Sequence, residues 1–311
     1  MGTRAGLRST GRALVVGVCS FWLAAGIGAG AQQIAITFDD LPVHGPLPEG
    51  ETRIEVANKV IKALERAHVP PTYGFVNGIG VEQHPETVAV LAAWRAAGFP
   101  LGNHTWSHMN LNQHSLQDFE QDTQKNEALL QQQMIGGDWH WFRFPFLAEG
   151  DTSAKKMGFR VYLAEHGYRI AGVTMSFADY EWNEPYARCS AKGDKKAIAG
   201  LERSYLLAAD ENIGFAHQMS QTLYGRDIPY VLLMHIGAFD ARMLPRLLRL
   251  YQSRGITFVP LAEAEKDPFY KYDVDPKLLP GPDMLEGAMF EKHLALPQRK
   301  DYSAELDKVC R

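Results

Sequence analysis

Short apolar runs alternate with amphipathic stripes along most of the chain. Ile34-Ala-Ile-Thr-Phe38 has the β-branched and aromatic content of a strand and runs straight into Asp39 and Asp40. A loop broken by Pro42, Pro46 and Pro48 follows. Ile54, Ala57, Val60, Ile61 and Leu64 then repeat at helical spacing, which predicts a helix over 52–68 ended by Pro70 and Pro71. Thr72–Val76 reads as a strand, and 85–97 as a helix with Pro85 in its first turn and Gly98 past its end. Phe99–Gly102 is a third strand. Ser115 opens a long polar helix to about Met134, with Asp118 placed for its cap. Strands over 139–144, 168–175, 230–234 and 256–259 then alternate with helical segments over 153–166, 194–224 and 240–254.

Strand–helix alternation means a parallel sheet with helices outside it. There is no repeat period and no low-complexity linker. Seven or eight units in this length predict a distorted (β/α)7 barrel over 32–268, in which chemistry belongs at the C-terminal ends of the strands. From Tyr270 onward the pattern fails, with four prolines and little periodicity. Residues 269–311 are therefore expected to form a C-terminal tail packed on the barrel.

Charge and cysteine usage narrow the setting. Arg4, Arg8 and Arg12 precede a largely apolar run from Ala13 to Ala25, too short to span a bilayer comfortably. Ala29-Gly30-Ala31 then offers a small-x-small cleavage site. The expectation is a signal peptide over 1–31 and an exported, periplasmic or secreted, mature chain. No later apolar run approaches membrane length, so no stable membrane insertion is expected after cleavage. Loss of the three arginines takes the formal charge from −4 to −7. With no Lys/Arg block, this argues against a nucleic-acid partner. Cys19 leaves with the signal, and Val18 before it argues against a lipoprotein site. Cys189 and Cys310 remain, and in an exported chain they read as one disulfide, or otherwise as two free buried thiols.

Five of the first six predicted strand ends carry titratable or structurally unusual residues. The first ends in Asp39-Asp40, the third in His104-Thr-Trp-Ser-His108, the fourth in Arg143-Phe-Pro-Phe146, the fifth in Ser176-Phe-Ala-Asp179-Tyr-Glu-Trp182, and the sixth in His235. Where the chain bends at a strand's end, two adjacent acids can reach one pocket from different sides. One can then bind a metal while the other stays free as a base. His104 and His108, spaced i, i+4, would lie side by side on a helical turn, about 5–6 Å apart at Cβ. Two histidines and a carboxylate leave metal positions open for water and substrate. Arg143 beside Asp39 would keep that acid ionised. His235, leaving apolar Val231–Met234, suits a general acid, with Asp179 orienting its ring. The other eight histidines, His44 among them, have no such placement and read as surface or structural.

Thr37-Phe-Asp-Asp40, His104-x-x-x-His108, Arg143-x-Pro-Phe146, Asp179-Tyr180 and Leu233-x-His235 resemble the five ordered motifs of the polysaccharide deacetylases, carbohydrate esterase family 4. The resemblance covers roughly 34–262. It implies a distorted (β/α)7 barrel and a divalent metal, usually Zn2+. It also implies Asp40, His104 and His108 as metal ligands and Asp39 as base, paired with Arg143. His235 would be the acid supported by Asp179, and the Phe146 backbone N–H an oxyanion donor. The substrate it implies is an N-acetylated glycan, deacetylated to acetate and an amine. The chain departs from the family pattern in two places. Phe146 stands where Tyr is frequent, which costs little for a backbone role. Tyr180 follows Asp179 where Trp is common, with Trp182 two residues on, so Tyr180 and Trp182 are the expected aromatic wall of the substrate pocket. The segment 183–227 and the tail could build a groove wall or cover the barrel. Two other readings stay open: an amidase or imidase acting on a non-sugar substrate, and a non-catalytic carbohydrate-binding barrel.

Overall fold

A computed structural model describes residues 1–3, 6 and 32–311. The expected signal peptide, its cleavage site and Cys19 lie outside the described residues. Residues 32–311 lie in one compact unit.

Its centre is β1 (Gln33–Leu41), buried on both faces from Ile34 to Asp39, as its near-continuous apolar sequence requires. α1 (Arg53–Arg66) follows, closed by a capping box in which Thr52 and Glu55 bond each other's backbone N–H. Next come β2 (Gly74–Val76), α2 (Val88–Ala96), β3 (Leu101–Asn103), α3 (Leu116–Gln133), β4 (Trp141–Phe142), α4 (Ser153–Glu165) and β5 (Arg169–Ile170). α5 (Asn183–Ala191) and the 30-residue α6 (Lys195–Tyr224) precede β6 (Tyr230–His235), α7 (Ala238–Ser253) and β7 (Thr257–Phe258).

Every strand pairing is parallel, in the order β5-β4-β3-β2-β1-β6, with β7 also on β1. The curled sheet is drawn round by one bridge, Met175 to Leu232, through Met175 N–H to Val231 O (3.0 Å) and Leu233 N–H to Met175 O (3.0 Å). The chain after β5 therefore touches β4 at Ala171 and β6 four residues later, and this closes the expected (β/α)7 barrel. The distortion comes from β7. Gln32 O and Ile34 O accept from Thr257 and Val259, on the side where Phe38 N–H, further along, bonds Tyr73 O before β2. β2 and β7 thus share one edge of β1.

The strands are shorter than predicted. Those expected over 139–144 and 168–175 contract to two-residue ladders. The tail is more ordered than expected: α8 (Leu285–Glu291) and α9 (Ser303–Leu306) bury Leu285, Ala288, Met289 and Leu306 in the main core. The cysteines are joined, Cys189 in α5 to Cys310 in the tail, S–S 2.09 Å. Arg188 donates to the carbonyls of Leu306, Asp307 and Val309, so the tail's end is held by hydrogen bonds as well.

Closing a loop across a separation of 121 residues removes a large part of the unfolded chain's freedom. The chain-entropy relation gives about 5 kcal/mol as an upper figure. Cys310→Ser is expected to lower unfolding free energy by about 2–5 kcal/mol, read from urea titrations of oxidised protein. Equal midpoints for variant and parent would show that the bond adds nothing.

Candidate active site

Four strand ends and the turn after β5 meet at one mouth of the barrel. Asp39 sits in register opposite His235. Asp40 then leaves extended geometry for the left-handed region, φ 63°. For a non-glycine residue this is a strained conformation, and it swings Asp40 out of the alternation that would place it on the other face of the sheet.

Asp39 is buried against Arg143, whose Nη1 lies 3.2 and 3.3 Å from its two oxygens. Arg143 also donates from Nη2 to Thr37 Oγ1 (3.1 Å) and from Nε to Ala171 O (2.8 Å), so the guanidinium is fixed on three sides. Its own carbonyl takes His104 Nδ1 at 2.7 Å. That bond makes Nδ1 the protonated nitrogen and turns the Nε2 lone pair inward.

His104 Nε2 lies 3.5 Å, and His108 Nε2 3.4 Å, from Asp40 Oδ1. That oxygen is buried and has no hydrogen-bond partner. Donor atoms bound tetrahedrally at 2.0–2.1 Å stand about 3.3–3.4 Å apart; each histidine is near that distance from Asp40 Oδ1, and the three ligand atoms lie within 4.8 Å of one another, so the set could hold a metal ion. Burial first, then the neighbouring His104, lowers the His108 ring to about 4, so it is neutral and able to ligate near neutral pH. Burial by itself raises the Asp40 carboxyl. The hydrogen bond from His44 and the charges of His235, His44 and His104 outweigh that and hold it well below the usual carboxylate range.

The histidine pair does not ride on a helical turn as expected. It lies on a bend with Thr105 (φ 60°) and His108 (φ 56°) both left-handed. Three asparagines hold that bend. Asn77 donates to the carbonyls of His104 and Thr105, and Asn103 Oδ1 accepts from Thr105 N–H. Asn126 links Asn103 Oδ1 to Val76 O. Gly78 lets Trp106 pack close, since a Cβ there would lie 2.2 Å from the Trp106 ring. All three asparagines are buried. They went unread in the sequence because a lone Asn signals a turn at least as often as a brace.

Asp179, fully buried, grips His235 twice: Oδ2 accepts the backbone N–H (2.7 Å) and Oδ1 accepts ring Nδ1–H (2.9 Å). Burial alone lowers this imidazole. The charge and hydrogen bond of Asp179, with Asp40 and Asp39 behind it, push it up to about 10. Asp240 lies under the same cluster, accepting from Asn183 Nδ2 (2.7 Å) and Tyr205 O–H (2.9 Å), and burial with the charge of Asp179 raises it well above the ordinary range. Phe146, at φ 58°, makes no backbone N–H bond among the described residues, and its exposed ring lies 4.4 Å from His108.

The two expected wall residues differ in exposure. Trp182 is fully buried, its Nε1–H donating to Ser204 Oγ and its ring packed between Tyr205 and Tyr302, so it lies in the floor of the cavity beside Tyr180 rather than standing out as a wall. Tyr180 stands out: it is 46% exposed, with its ring 5.1 Å from that of His235. His44, read from sequence as surface or structural, stands in the site with Nδ1 2.8 Å from Asp40 Oδ2. Its spacing of four from Asp40 was the available signal.

The family model for polysaccharide deacetylase matches residues 27–162. Those residues are of the polysaccharide deacetylase family. Over that stretch the chain is of the amide-hydrolysing, polysaccharide deacetylase type. No curated protein sequence matches it. Among solved structures it is similar to the CE4 domain of a multidomain xylanase from the hindgut metagenome of Trinervitermes trinervoides, at 17% identity, 78% of this chain, 94% of that one and TM-score 0.51. It is also similar to the chitin deacetylase of the fungus Colletotrichum lindemuthianum, at 22% identity, 75% and 86% coverage and TM-score 0.50. A third is a mutant CE4 family pseudoenzyme with restored enzymatic activity, at 16% identity, 76% and 68% coverage and TM-score 0.52. At these identities the likeness is one of fold, and the third of them shows that this barrel also houses inactive sites.

His235 carries its raised value because of Asp179, which makes Asp179→Asn a direct test. In the metal-free protein the ring's titration, followed by NMR, is expected to fall from about 10 toward the ordinary 6.5 or below. A raised folded value stabilises the fold at pH below the unfolded value, and that contribution is lost as pH rises through the folded one. The wild-type chain should therefore lose stability between about 6.5 and 10, and the variant should not. An unmoved His235 titration would remove Asp179 as the cause.

Proposed function

We propose that the chain is an exported, metal-dependent deacetylase that removes N-acetyl groups from an N-acetylated polysaccharide or oligosaccharide. The observation that carries this is the orphaned Asp40 Oδ1 between two inward-facing Nε2 atoms. Asp40, His104 and His108 would hold a divalent cation. Two imidazoles and one carboxylate suit Zn2+. Bound there, the cation would polarise the acetamide carbonyl and make water acidic enough to attack near neutral pH.

The chain's own groups divide the remaining work. Asp39, paired with Arg143, accepts a proton from the attacking water. The Phe146 N–H donates to the developing oxyanion, the kind of contact worth about 3–4 kcal/mol of barrier in acyl transfer. His235, protonated against Asp179, gives its proton to the leaving nitrogen, so water and acetamide become acetate and amine. A decayed binding barrel would be expected to lack one of these groups, and all are present.

For the glycan, Tyr180 is the remaining aromatic wall. It borders a cavity of about 420 Å³ whose far side comes from Arg299, Lys300, Asp301 and Tyr302 of the tail. This gives the tail a role in binding substrate beside the reacting unit. In this reading residues 1–31 are an export signal, 32–268 the barrel and 269–311 its tail.

Asp39→Asn is expected to keep metal at wild-type stoichiometry while turnover falls by roughly 10²–10⁴-fold. His104→Ala should lose the metal itself. Elemental analysis with an acetate-release assay separates the two, and an empty site in Asp39→Asn would undo the assignment of the acids. Tyr180→Ala should raise KM on chitin oligomers about fivefold with kcat little changed, as loss of one ring contact implies. An equal KM for both proteins across oligomer lengths would take Tyr180 off the substrate path.

A further inference from the structure

We infer that His44 is a positioning residue that fixes which oxygen of Asp40 faces the histidine pair. This rests on the proposed metal reading of Asp40, His104 and His108. A carboxylate has two equivalent oxygens, and half a turn of its plane exchanges them. Here they are not equivalent: Oδ1 is buried without a partner, and Oδ2 takes His44 Nδ1 at 2.8 Å. An ionised carboxylate only accepts, so His44 Nδ1 is the donor. With Oδ2 tied, one oxygen alone is left for a metal, and the carboxylate plane cannot rotate without breaking the bond.

His44 is itself held. Arg53, the first residue of α1, donates Nη1 to His44 O and Nη2 to Gly45 O, both at 2.6 Å. Gly45 turns the chain at φ 61°, and its Cα packs against Asn183, which an added Cβ would meet at 3.3 Å. The His44 ring then lies 4.6 Å from that of His235 and 6.3 Å from that of Tyr180. One imidazole thus touches the ligand side of the site and packs on the acid side. A hydrogen bond that orients a ligand carboxylate from behind is typically worth 10–100-fold in metal affinity.

The test is Zn2+ affinity of the full mature chain, by competition with a chromophoric chelator, for wild type, His44→Ala and His44→Asn. The Asn amide nitrogen occupies nearly the place of His Nδ1 and keeps a donor to Oδ2. We expect His44→Ala to weaken Zn2+ binding 10–100-fold and His44→Asn to stay within about threefold of wild type. The Co2+ absorption spectrum should report the same coordination number in all three. Thermal unfolding of the metal-free proteins checks that His44→Ala folds, and His44→Asn keeps the inference testable if it does not. Affinity in His44→Ala within threefold of wild type would overturn the inference. So would a lower coordination number in both variants, which would make His44 a ligand. If wild type itself binds no Zn2+, the metal reading fails before the question of His44 arises.

Discussion

The buried pair of Asp39 and Arg143 is the contact on which the rest of the site depends. Both are almost wholly excluded from solvent. Removing either partner of such a pair leaves an uncompensated charge in the interior, at a cost of about 3–5 kcal/mol. The pair therefore fixes the end of β1 against the end of β4. Because the Arg143 carbonyl also takes His104 Nδ1, the same residue sets the tautomer of the first histidine. One arginine thus couples Asp39, the strand junction and the inward-facing lone pair of His104. A lysine at that place could supply the charge but not the three directed donors.

Around that contact the site is arranged as a gradient of proton affinity. His108 is held neutral to about 4, Asp40 well below the carboxylate range, and His235 protonated to about 10. The groups lie within a few ångströms of one another, yet burial and partner choice separate them into lone-pair donors and one proton donor. Widely separated pKa values in one cleft are a mark of acid–base chemistry. Asp179 produces the upper end of the gradient by bonding both the backbone and the ring of His235, so that the acid's position and its protonation share one cause.

Two stretches outside the barrel also serve the mouth. The tail, held by Cys189–Cys310 and the Arg188 bonds, places Arg299 to Tyr302 across a cavity from Tyr180. The proline-rich loop after β1, clamped by Arg53, brings His44 back over Asp40. Both use chain far from the other strand ends to shape the opening, as is usual where a scaffold carries a site on its loops.

The amino-acid sequence determined the parallel barrel, because alternating strand and helix periods admit few other arrangements. It also made the motif residues legible, because they stand at or just after strand ends, where periodicity breaks. Those features are local: periodicity and strand ends can be read one segment at a time. What only the tertiary structure decided depends on residues far apart. Trp182 looked like a wall residue, yet α6 and the tail cover it. His44 looked idle, yet the loop folds it onto Asp40. The His104–His108 spacing suggested a helical turn, whereas buried Asn77, Asn103 and Asn126 impose a strained bend on it. For Trp182 and for the bracing by Asn77 and Asn126 the deciding partners lie on other elements; His44 is only four residues from Asp40, but the fold of the loop decides that the two meet. The adjacent acids show the division most plainly. Two carboxylates at a strand's end are legible from sequence, but their separate environments follow from a left-handed Asp40 and from Arg143, more than a hundred residues away.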